Sequence, residues 1–269
     1  MKLDIAGVQI DNVTNAETLN RISEFLRDGK PHMIATTYSE FVVFAQRDAE
    51  FLAAINNADL SVPDGVGILW AAKYLSLPAQ SKFEALWQLV YTGASIIFDP
   101  AYCRTVIKET VTGSRLIWPL AEMAALNNYS VALVGGLNNV TEMAANKLKE
   151  KYPNLNITLT LSNGVSFNEA LIGQIRDSHS DILLIAYQPP KQEKWLAQNL
   201  QRLNVKLALG LGGTFDYISG VRTQPPRFVS YLGIEWLWRL VTQPWRYKRI
   251  YNAIVIFIST VYQHKIKHL

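Results

Sequence analysis

Polar side chains follow an apolar run in the second half of the chain, where they can bind a ligand. The apolar run covers residues 181–187, and Gln192 and Glu193 come after it and after the turn Pro189-Pro190. A helix that begins at this point directs its first free N–H groups toward the preceding loop. Such groups favour an anionic or oxygen-rich ligand.

A second group of this kind follows the apolar run at residues 205–211. Gly212 and Gly213 come directly after the run, and Asp216 lies a little further on. An acid in this position can accept a hydrogen bond from a ribose or sugar hydroxyl, as acids do beside dinucleotide sites. The alternative is structural: the glycines form a tight turn, and Asp216 caps the next helix.

The elements that position these residues are apolar runs that alternate with helical patterns. The predicted strands cover residues 2–10 (one strand or a hairpin), 32–35, 58–62, 130–134, 156–161, 181–187 and 205–211. This alternation predicts an α/β fold with right-handed crossovers and a parallel sheet. Polar residues and glycines beyond the carboxyl ends of such strands mark the ligand crevice. Gly135-Gly136 is another element of this kind.

The composition fits a folded protein in a reducing compartment. The chain has 269 residues, 49% of them hydrophobic, and a formal net charge of +4. Cys103 is the only cysteine, which excludes a disulfide within the chain and a cysteine-based zinc site. No apolar signal sequence is visible, and no run of about 20 apolar residues is present to span a bilayer. We expect a cytoplasmic protein with no nucleic acid among its partners.

Two apolar segments each allow two interpretations. Residues 83–102 form either a buried helical hairpin or an apolar surface that faces a membrane or a partner. In the tail, tryptophans, tyrosines and basic residues surround the apolar segment 250–262. This segment either lies in the headgroup region of a membrane or packs on the parent domain. We divide the chain into a core at 1–230, with an apolar insertion at about 78–108, and an appendage at 231–269.

Several motifs are weak alone but specific in combination. They are Val62-Pro63-Asp64-Gly65, Val111-Thr112-Gly113-Ser114, Pro190-Lys191-Gln192-Glu193-Lys194-Trp195, Gly212-Gly213-Thr214-Phe215-Asp216 and Gly233-Ile234-Glu235-Trp236-Leu237-Trp238-Arg239-Leu240, followed by Pro244-Trp245-Arg246 and Arg249. In this order the chain resembles, over nearly its whole length, the WecG/TagA/CpsF family of bacterial glycosyltransferases.

The resemblance implies an inverting, metal-independent transferase with a Rossmann-like core, helices on both faces of its sheet, and no cofactor. Members of the family move a sugar, often N-acetylmannosamine or its uronic acid, from a UDP donor. The acceptor is N-acetylglucosamine linked through pyrophosphate to a polyprenyl lipid. The resemblance also implies that the appendage completes the site at the inner face of the bacterial membrane, in cell-surface polysaccharide or teichoic acid synthesis. A homo-oligomer is neither required nor excluded.

Inverting transfer needs a base that takes a proton from the attacking hydroxyl. Asp64 is the candidate, since it lies where a predicted strand gives way to a turn; the alternative is a helix cap. Thr36, at another strand end, resembles the family threonine that lines the same pocket, with a helix or turn cap as its alternative. Gln192 can hydrogen-bond a uracil ring or a sugar hydroxyl.

The leaving diphosphate carries negative charge that must be offset as the bond breaks. No Asp-x-Asp triplet is present to hold a metal, and no histidine has metal-ligand spacing with another ligand. Arginines are the remaining source of positive charge. Arg239, Arg246 and Arg249 have spacings of seven and three, which predict one helical face. They hold the donor's phosphates or the acceptor's pyrophosphate, or else form a solvated basic face.

Three positions depart from the family's usual residues: Tyr38 replaces an Asn, Thr110 an Arg and Gln188 a Gly. They surround the expected sugar pocket, so a different hexose or hexuronic acid stays open as the donor sugar. They also motivate a second function, a non-catalytic nucleotide-sugar-binding partner of a membrane glycan enzyme. A nicotinamide dehydrogenase is poorly supported, because residues 210–213 lack the third glycine of the dinucleotide fingerprint.

Overall fold

The computed structural model describes residues 1–162 and 166–269, built around a parallel sheet. The strands are β1 (Lys2–Ile5), β2 (Val8–Asp11), β3 (His32–Thr37), β4 (Leu60–Pro63), β5 (Ser130–Gly135), β6 (Asn156–Leu161), β7 (Ile182–Ala186) and β8 (Leu207–Gly210). Over the described residues, β1 and β2 form a hairpin, and the other six strands form the sheet in the order β4-β3-β8-β7-β5-β6, all parallel. The predicted runs are confirmed as strands, with the first as a hairpin.

Helices connect these strands and cover the sheet. They are α1 (Asn15–Arg27), α2 (Ser39–Ala45), α3 (Ala49–Asn56), α4 (Val66–Ser76), α5 (Lys82–Phe98), α6 (Gly113–Leu126), α7 (Val140–Lys151), α8 (Glu169–Asp177), α9 (Lys191–Asn199), α10 (Thr214–Ile218), α11 (Arg227–Tyr231), α12 (Glu235–Thr242), α13 (Tyr247–Tyr251) and α14 (Phe257–Lys267). Local sequence sets some of these bounds. At the start of α1, the Glu17 N–H donates to the Thr14 hydroxyl at 3.2 Å, and the Thr14 N–H donates to the Glu17 carboxylate at 2.7 Å.

Alternate residues of the sheet strands face two separate apolar cores. On one face, Ile34, Leu133 and Leu184 pack with residues of α1, α6 and α7. On the other face, Ala35 and Val134 pack with residues of α8 and α9. Successive side chains of a strand point to opposite faces, so a sheet with helices on both sides buries all of them. The predicted α/β fold, with a helical C-terminal stretch, is confirmed.

A third apolar core lies beside the sheet and includes the end of the tail. Phe257 and Val261 of α14 are 2% and 0% exposed, among side chains of the hairpin and of α2, α3 and α4. The Phe257 ring meets the Trp70 ring edge-on, with centroids 6.0 Å apart. The inner face of segment 250–262 therefore packs on the parent domain, which is one of the two interpretations of its sequence.

Residues 83–102 do not form a helical hairpin, so that interpretation is wrong. They form the single helix α5, followed by a short 3-10 turn at Tyr102–Arg104. Phe83 and Trp87 on this helix are 80% and 62% exposed. The apolar residues of this helix are therefore on the surface, as the other interpretation requires, and their contact with a membrane or a partner stays a prediction. Among the helices of residues 1–162 and 166–269, none is both long and apolar enough to cross a membrane.

Candidate active site

The sheet order brings the ends of four strands together at one edge. Neighbouring strands in a sheet lie about 4.8 Å apart, so β4, β3, β8 and β7 end side by side. Asp64 follows β4, Thr36 lies near the end of β3, Gly212 comes shortly after β8, and Gln192 follows β7 across a short turn. Residues from distant parts of the chain therefore meet at the edge where open α/β sheets bind ligands, and we call this place the crevice.

Asp64 is held in place by the backbone of the neighbouring strand. Its N–H donates to the Thr37 carbonyl at 2.8 Å, and the residue is half-buried. Burial, followed by the negative charge of Glu235, raises the pKa of the Asp64 carboxyl to about 7. A base with a pKa near the working pH is largely deprotonated before the reaction. It is also basic enough to accept a proton during the reaction. The pKa of Asp64 therefore suits the predicted general base, and its catalytic role stays a prediction.

Three groups favour the charged form of Asp64 and limit the rise of its pKa. They are the guanidinium of Arg239, the backbone N–H of Gly113 and the guanidinium of Arg115. The segment that precedes α6 is held beside β4, because the Val111 N–H donates to the carbonyl of the last β4 residue at 2.8 Å. Groups from the start of α6 and from the tail therefore both influence the charge of Asp64.

Neither Asp64 nor Thr36 is a helix cap, so the structural alternative is wrong for both. Gly65 is the N-cap of α4, and Tyr38 is the N-cap of α2. Thr36 lies within β3, is 6% exposed, and donates its hydroxyl proton to the Gly210 carbonyl of β8 at 3.0 Å. This hydrogen bond joins two central strands, and the role of Thr36 in the pocket stays a prediction.

The Gln192 amide joins the loops that follow β7 and β8. Its oxygen accepts from the Tyr187 N–H at 2.8 Å and from the Gly212 N–H at 3.4 Å. Its nitrogen donates to the Glu193 carboxylate at 2.6 Å. A Cβ at Gly210 would overlap the Gln192 amide, so only glycine leaves room for it. Binding of uracil or a sugar hydroxyl by Gln192 stays a prediction.

Glu193 is a buried carboxyl whose second oxygen is available. The residue is 1% exposed, and its Oε2 has no hydrogen-bond partner among residues 1–162 and 166–269. Burial raises the pKa of Glu193 to about 7, although hydrogen bonds from its own backbone and from Gln192 oppose the rise. A buried polar atom normally has a partner. Contact of Glu193 with a substrate hydroxyl stays a prediction.

Asp216 forms an ion pair that its sequence context does not predict. Its Oδ2 lies 2.7 Å from Nη1 of Arg222. The N-cap of α10 is Gly213, so the capping interpretation of Asp216 is wrong. Gly212 has a φ of +52°, which favours glycine, so its tight-turn interpretation fits. The Asp216 carboxylate holds Arg222 at the rim of the crevice, and contact of either glycine or of Asp216 with a ligand hydroxyl stays a prediction.

The three tail arginines do not share one helical face, so that prediction is wrong. Arg239 lies on α12, Arg246 in a 3-10 turn and Arg249 on α13. The helix stops before Pro244, because proline lacks an N–H and disfavours helical geometry in the residue before it. The turn nevertheless gathers positive charge. Burial lowers the pKa of Arg246, and so do the charges of Arg222 and of the other two tail arginines.

Arg249 is anchored to the segment that follows β3. Its Nη2 donates to the Glu40 carboxylate at 2.8 Å and to the Tyr38 hydroxyl at 3.1 Å. The Glu40 side chain is 5% exposed, and a buried charge is stable only with a partner. Arg249 therefore fastens α13 to α2, and its contact with phosphate stays a prediction.

Arg239 and Arg246 keep hydrogen-bond donors free. The Arg239 Nη2 lies 3.6 Å from the Glu235 carboxylate, and its buried Nε has no partner in the described part of the chain. Arg246, unlike Arg239, has no ion pair with an acid among residues 1–162 and 166–269. Guanidinium groups bind phosphate oxygens in a bidentate manner. Their binding of a diphosphate stays a prediction.

Comparison with known proteins identifies the family of this chain. The family described as "Glycosyl transferase WecG/TagA/CpsF family" matches residues 3–88 and 83–269. The chain belongs to this family. Similar proteins from Staphylococcus aureus strains MRSA252, NCTC 8325 / PS 47 and COL are each named N-acetylglucosaminyldiphosphoundecaprenol N-acetyl-beta-D-mannosaminyltransferase. Each is 25% identical to this chain over 268 residues, which is 99% of this chain and 94% of the relative.

The protein is thus a glycosyltransferase, and one predicted element lies apart from its candidate base. Gly135 and Gly136 follow β5, and β7, β8 and β3 lie between that strand and β4. A Cβ at Gly135 would overlap the Ala186 carbonyl, and the Gly136 N–H donates to the same carbonyl at 3.1 Å. Gly135 is therefore needed for the close contact of β5 with β7, and the φ of +73° favours glycine at position 136. Their contact with substrate stays a prediction.

No group of three or more His, Cys, Asp or Glu side chains in residues 1–162 and 166–269 of the glycosyltransferase is placed to hold a metal. Metal independence stays a prediction.

Sequence analysis missed four residues at this site: Arg222, Tyr38, Glu40 and Glu235. Glu235 lies four residues before Arg239 on a helix, a spacing that indicates an ion pair. Tyr38 was noted only as a departure from the family. Arg222 belongs to none of the motifs, so the sequence held no signal for it.

Proposed function

We propose that this glycosyltransferase moves N-acetylmannosamine or its uronic acid from a UDP donor to N-acetylglucosamine, with inversion at the anomeric carbon and without a metal. The acceptor sugar is linked through pyrophosphate to a polyprenyl lipid. The observation that carries the proposal is Asp64, a carboxyl with a pKa of about 7 beside a group of arginines. The names of the relatives support both the transferred sugar and the acceptor.

In the proposed reaction, Asp64 takes the proton of the acceptor hydroxyl as its oxygen attacks the anomeric carbon. The bond from that carbon to the diphosphate breaks, and UDP leaves with the bonding electrons. Arg239 lowers the pKa of Asp64, so it lies near the base and can also face the departing phosphates. Offsetting charge that develops at the leaving group is a large contribution in such reactions.

Arg246 is the arginine that we assign to the diphosphate. It has no acidic partner among the described residues, and neighbouring positive charges lower its pKa, so an anion between these groups removes their repulsion. The acceptor's pyrophosphate would make similar contacts, so binding of UDP alone and of the acceptor alone must be measured separately.

A lipid-linked acceptor requires the enzyme to work at a membrane surface. We place it on the cytoplasmic face of the bacterial membrane, where it contributes to cell-surface polysaccharide or teichoic acid synthesis. The basic tail supports this placement, since positive charge attracts anionic lipids.

The test is a screen of UDP-sugars with purified protein and a short-chain lipid-pyrophosphate-GlcNAc acceptor, with and without a chelator. We expect UDP-N-acetylmannosamine or its uronic acid to be consumed in the presence of chelator, and linkage analysis to show inversion. Turnover with another UDP-hexose only would correct the donor sugar. Absence of turnover with every donor, in a protein that binds UDP, would replace the proposal by a binding function.

A further inference from the structure

Helix α5 has its apolar residues on the outside. The exposed large side chains have the spacing of a single helical face, within about 120° of one another. They are Phe83, Leu86, Trp87, Val90, Ile97 and Phe98. The buried side chains Ala85, Gln88 and Thr92 lie opposite them. We call the six exposed residues the apolar face of α5.

Hydrogen bonds fix this orientation of α5. The Trp70 Nε1–H donates to the Thr92 hydroxyl at 3.0 Å, and the Gln88 amide donates to the Pro78 carbonyl at 2.7 Å. On the other side of Gln88, its oxygen accepts from the buried Lys265 ammonium of α14 at 2.5 Å. Rotation of the helix to hide its apolar face would leave these buried polar groups without partners, which is costly. The outward apolar face is therefore built into the fold.

The helix lies beside the elements that carry the candidate site. Gly233 packs so closely on Ile96 of α5 and on Val66 that a Cβ would come within 2.7 Å of Ile96. Val66 begins α4, shortly after Asp64, and α12 with Arg239 begins shortly after Gly233. The start of α4, the residue before α12 and α5 thus meet through one apolar contact.

The Arg104 guanidinium reinforces this junction. It donates to the Tyr231 carbonyl at 3.1 Å and lies 4.7 Å from the centre of the Tyr231 ring. Tyr231 itself is 55% exposed. The end of α5 and the start of the tail therefore form one connected surface.

We propose that the apolar face of α5 inserts into the interfacial layer of a lipid bilayer and so presents the crevice to a lipid-linked acceptor. This inference takes only one point from the proposed function, which is that the acceptor is linked to a lipid. Aromatic and aliphatic side chains on one face of a surface helix, with bases nearby, suit the boundary between headgroups and acyl chains. The helix has 17 residues and is about 25 Å long, so it lies along the membrane and does not cross it.

Charge favours a bilayer over a second copy of the chain as the occupant. The neighbouring tail has six Lys and Arg residues against the single acid Glu235. Lys265 is buried and Arg249 is paired with Glu40, so the positive charge that faces outward comes from the exposed Lys248 and Lys267 and the half-buried Arg246. Two copies joined through this surface would bring two positive tails together, whereas anionic headgroups would offset that charge. The membrane contact is then made by α5 and not by segment 250–262, whose inner face packs in the core.

The first test is flotation of the purified full chain with phosphatidylglycerol–phosphatidylcholine vesicles. The triple variant Trp87→Ser, Val90→Ser, Phe98→Ser should lose at least about tenfold in partition coefficient, since three large apolar side chains leave the lipid. A control variant, Leu126→Ser with Leu137→Ser, removes side chains that are 76% and 65% exposed elsewhere and should float as the wild type does. Equal flotation of the triple variant would overturn the proposal.

A second measurement covers the case in which the triple variant does not fold. A polarity-sensitive dye on Val90→Cys should shift to the blue on addition of vesicles, and the same dye on Leu137→Cys should not; Cys103 is buried. Absence of the shift at residue 90 overturns the proposal. Light scattering without lipid tests whether a second copy of the chain covers the apolar face of α5. A wild-type dimer that dissociates in the triple variant would also overturn the proposal.

Activity separates this inference from the proposed function. The triple variant should be slow with an acceptor embedded in vesicles and normal with a short-chain acceptor in solution. If the wild type acts on neither acceptor, the proposed function fails, and flotation still decides the membrane contact. An equal loss with both acceptors would count against a membrane role for α5.

Discussion

Asp64 of the core and Arg239 of the tail lie near enough for each charge to influence the other. The Arg239 charge lowers the pKa of Asp64, which burial and Glu235 raise; Tyr217, Glu235 and then Asp64 raise the pKa of Arg239 against the effect of burial. Asp64 follows a core strand, whereas Arg239 lies on α12 of the tail. The tail therefore completes the electrostatic surroundings of the candidate base, and movement of α12 would change the base itself.

Removal of the base should abolish transfer and spare binding. Asp64→Asn keeps the shape of the side chain but cannot take a proton, so we expect the rate to fall by about 10²- to 10⁴-fold. UDP affinity, measured by calorimetry, should stay nearly unchanged. Transfer at the wild-type rate would remove Asp64 from the mechanism.

The pH dependence of kcat/KM should rise through about pH 7, because the base acts in its deprotonated form. Glu235 raises the pKa of Asp64 and Arg115 lowers it. Glu235→Gln should therefore shift the rising limb to lower pH, and Arg115→Gln should shift it to higher pH. Shifts in the same direction, or none in either variant, would show that another group controls the profile.

Loss of Arg246, which has no acidic partner among residues 1–162 and 166–269, should weaken transition-state stabilisation. Arg246→Gln is expected to lower kcat by about 10²-fold, which is the typical cost of one group that offsets developing charge. Arg246→Lys should restore only part of the rate, because an ammonium cannot bind two phosphate oxygens in the same geometry. Lys248→Gln removes a nearby exposed charge and serves as the control. Equal losses in the Arg246→Gln and Lys248→Gln variants would indicate a general effect of the basic tail.

The last helix should contribute strongly to stability. Phe257 is 2% exposed, so Phe257→Ala should lower the free energy of unfolding by about 3–5 kcal/mol in urea titrations. Val255, two residues earlier, is 47% exposed, and Val255→Ala should change it by less than about 0.5 kcal/mol. A small effect at Phe257 would show that α14 is loosely attached and restore the membrane interpretation of the tail.

The alternation of apolar runs and helical patterns was enough to predict the sheet, because strand and helix periodicities are local properties of the chain. The same pattern placed Asp64, Gln192 and Gly212 at carboxyl ends of strands, and parallel strands end at one edge. The ion-pair partners of the other predicted site residues, Asp216 and Arg249, were not predictable. Arg222 reaches Asp216, and Glu40 reaches Arg249, through contacts that no spacing encodes.

What the sequence determined by itself was the class of fold, the order of its strands along the chain and the motifs of its family. Only the tertiary structure decided which apolar segment is covered. Residues 83–102 and 250–262 look alike in composition, yet α5 keeps its apolar face outside and α14 buries Phe257 and Val261. Burial depends on which distant surface meets a segment, and hydrophobicity alone does not specify that partner.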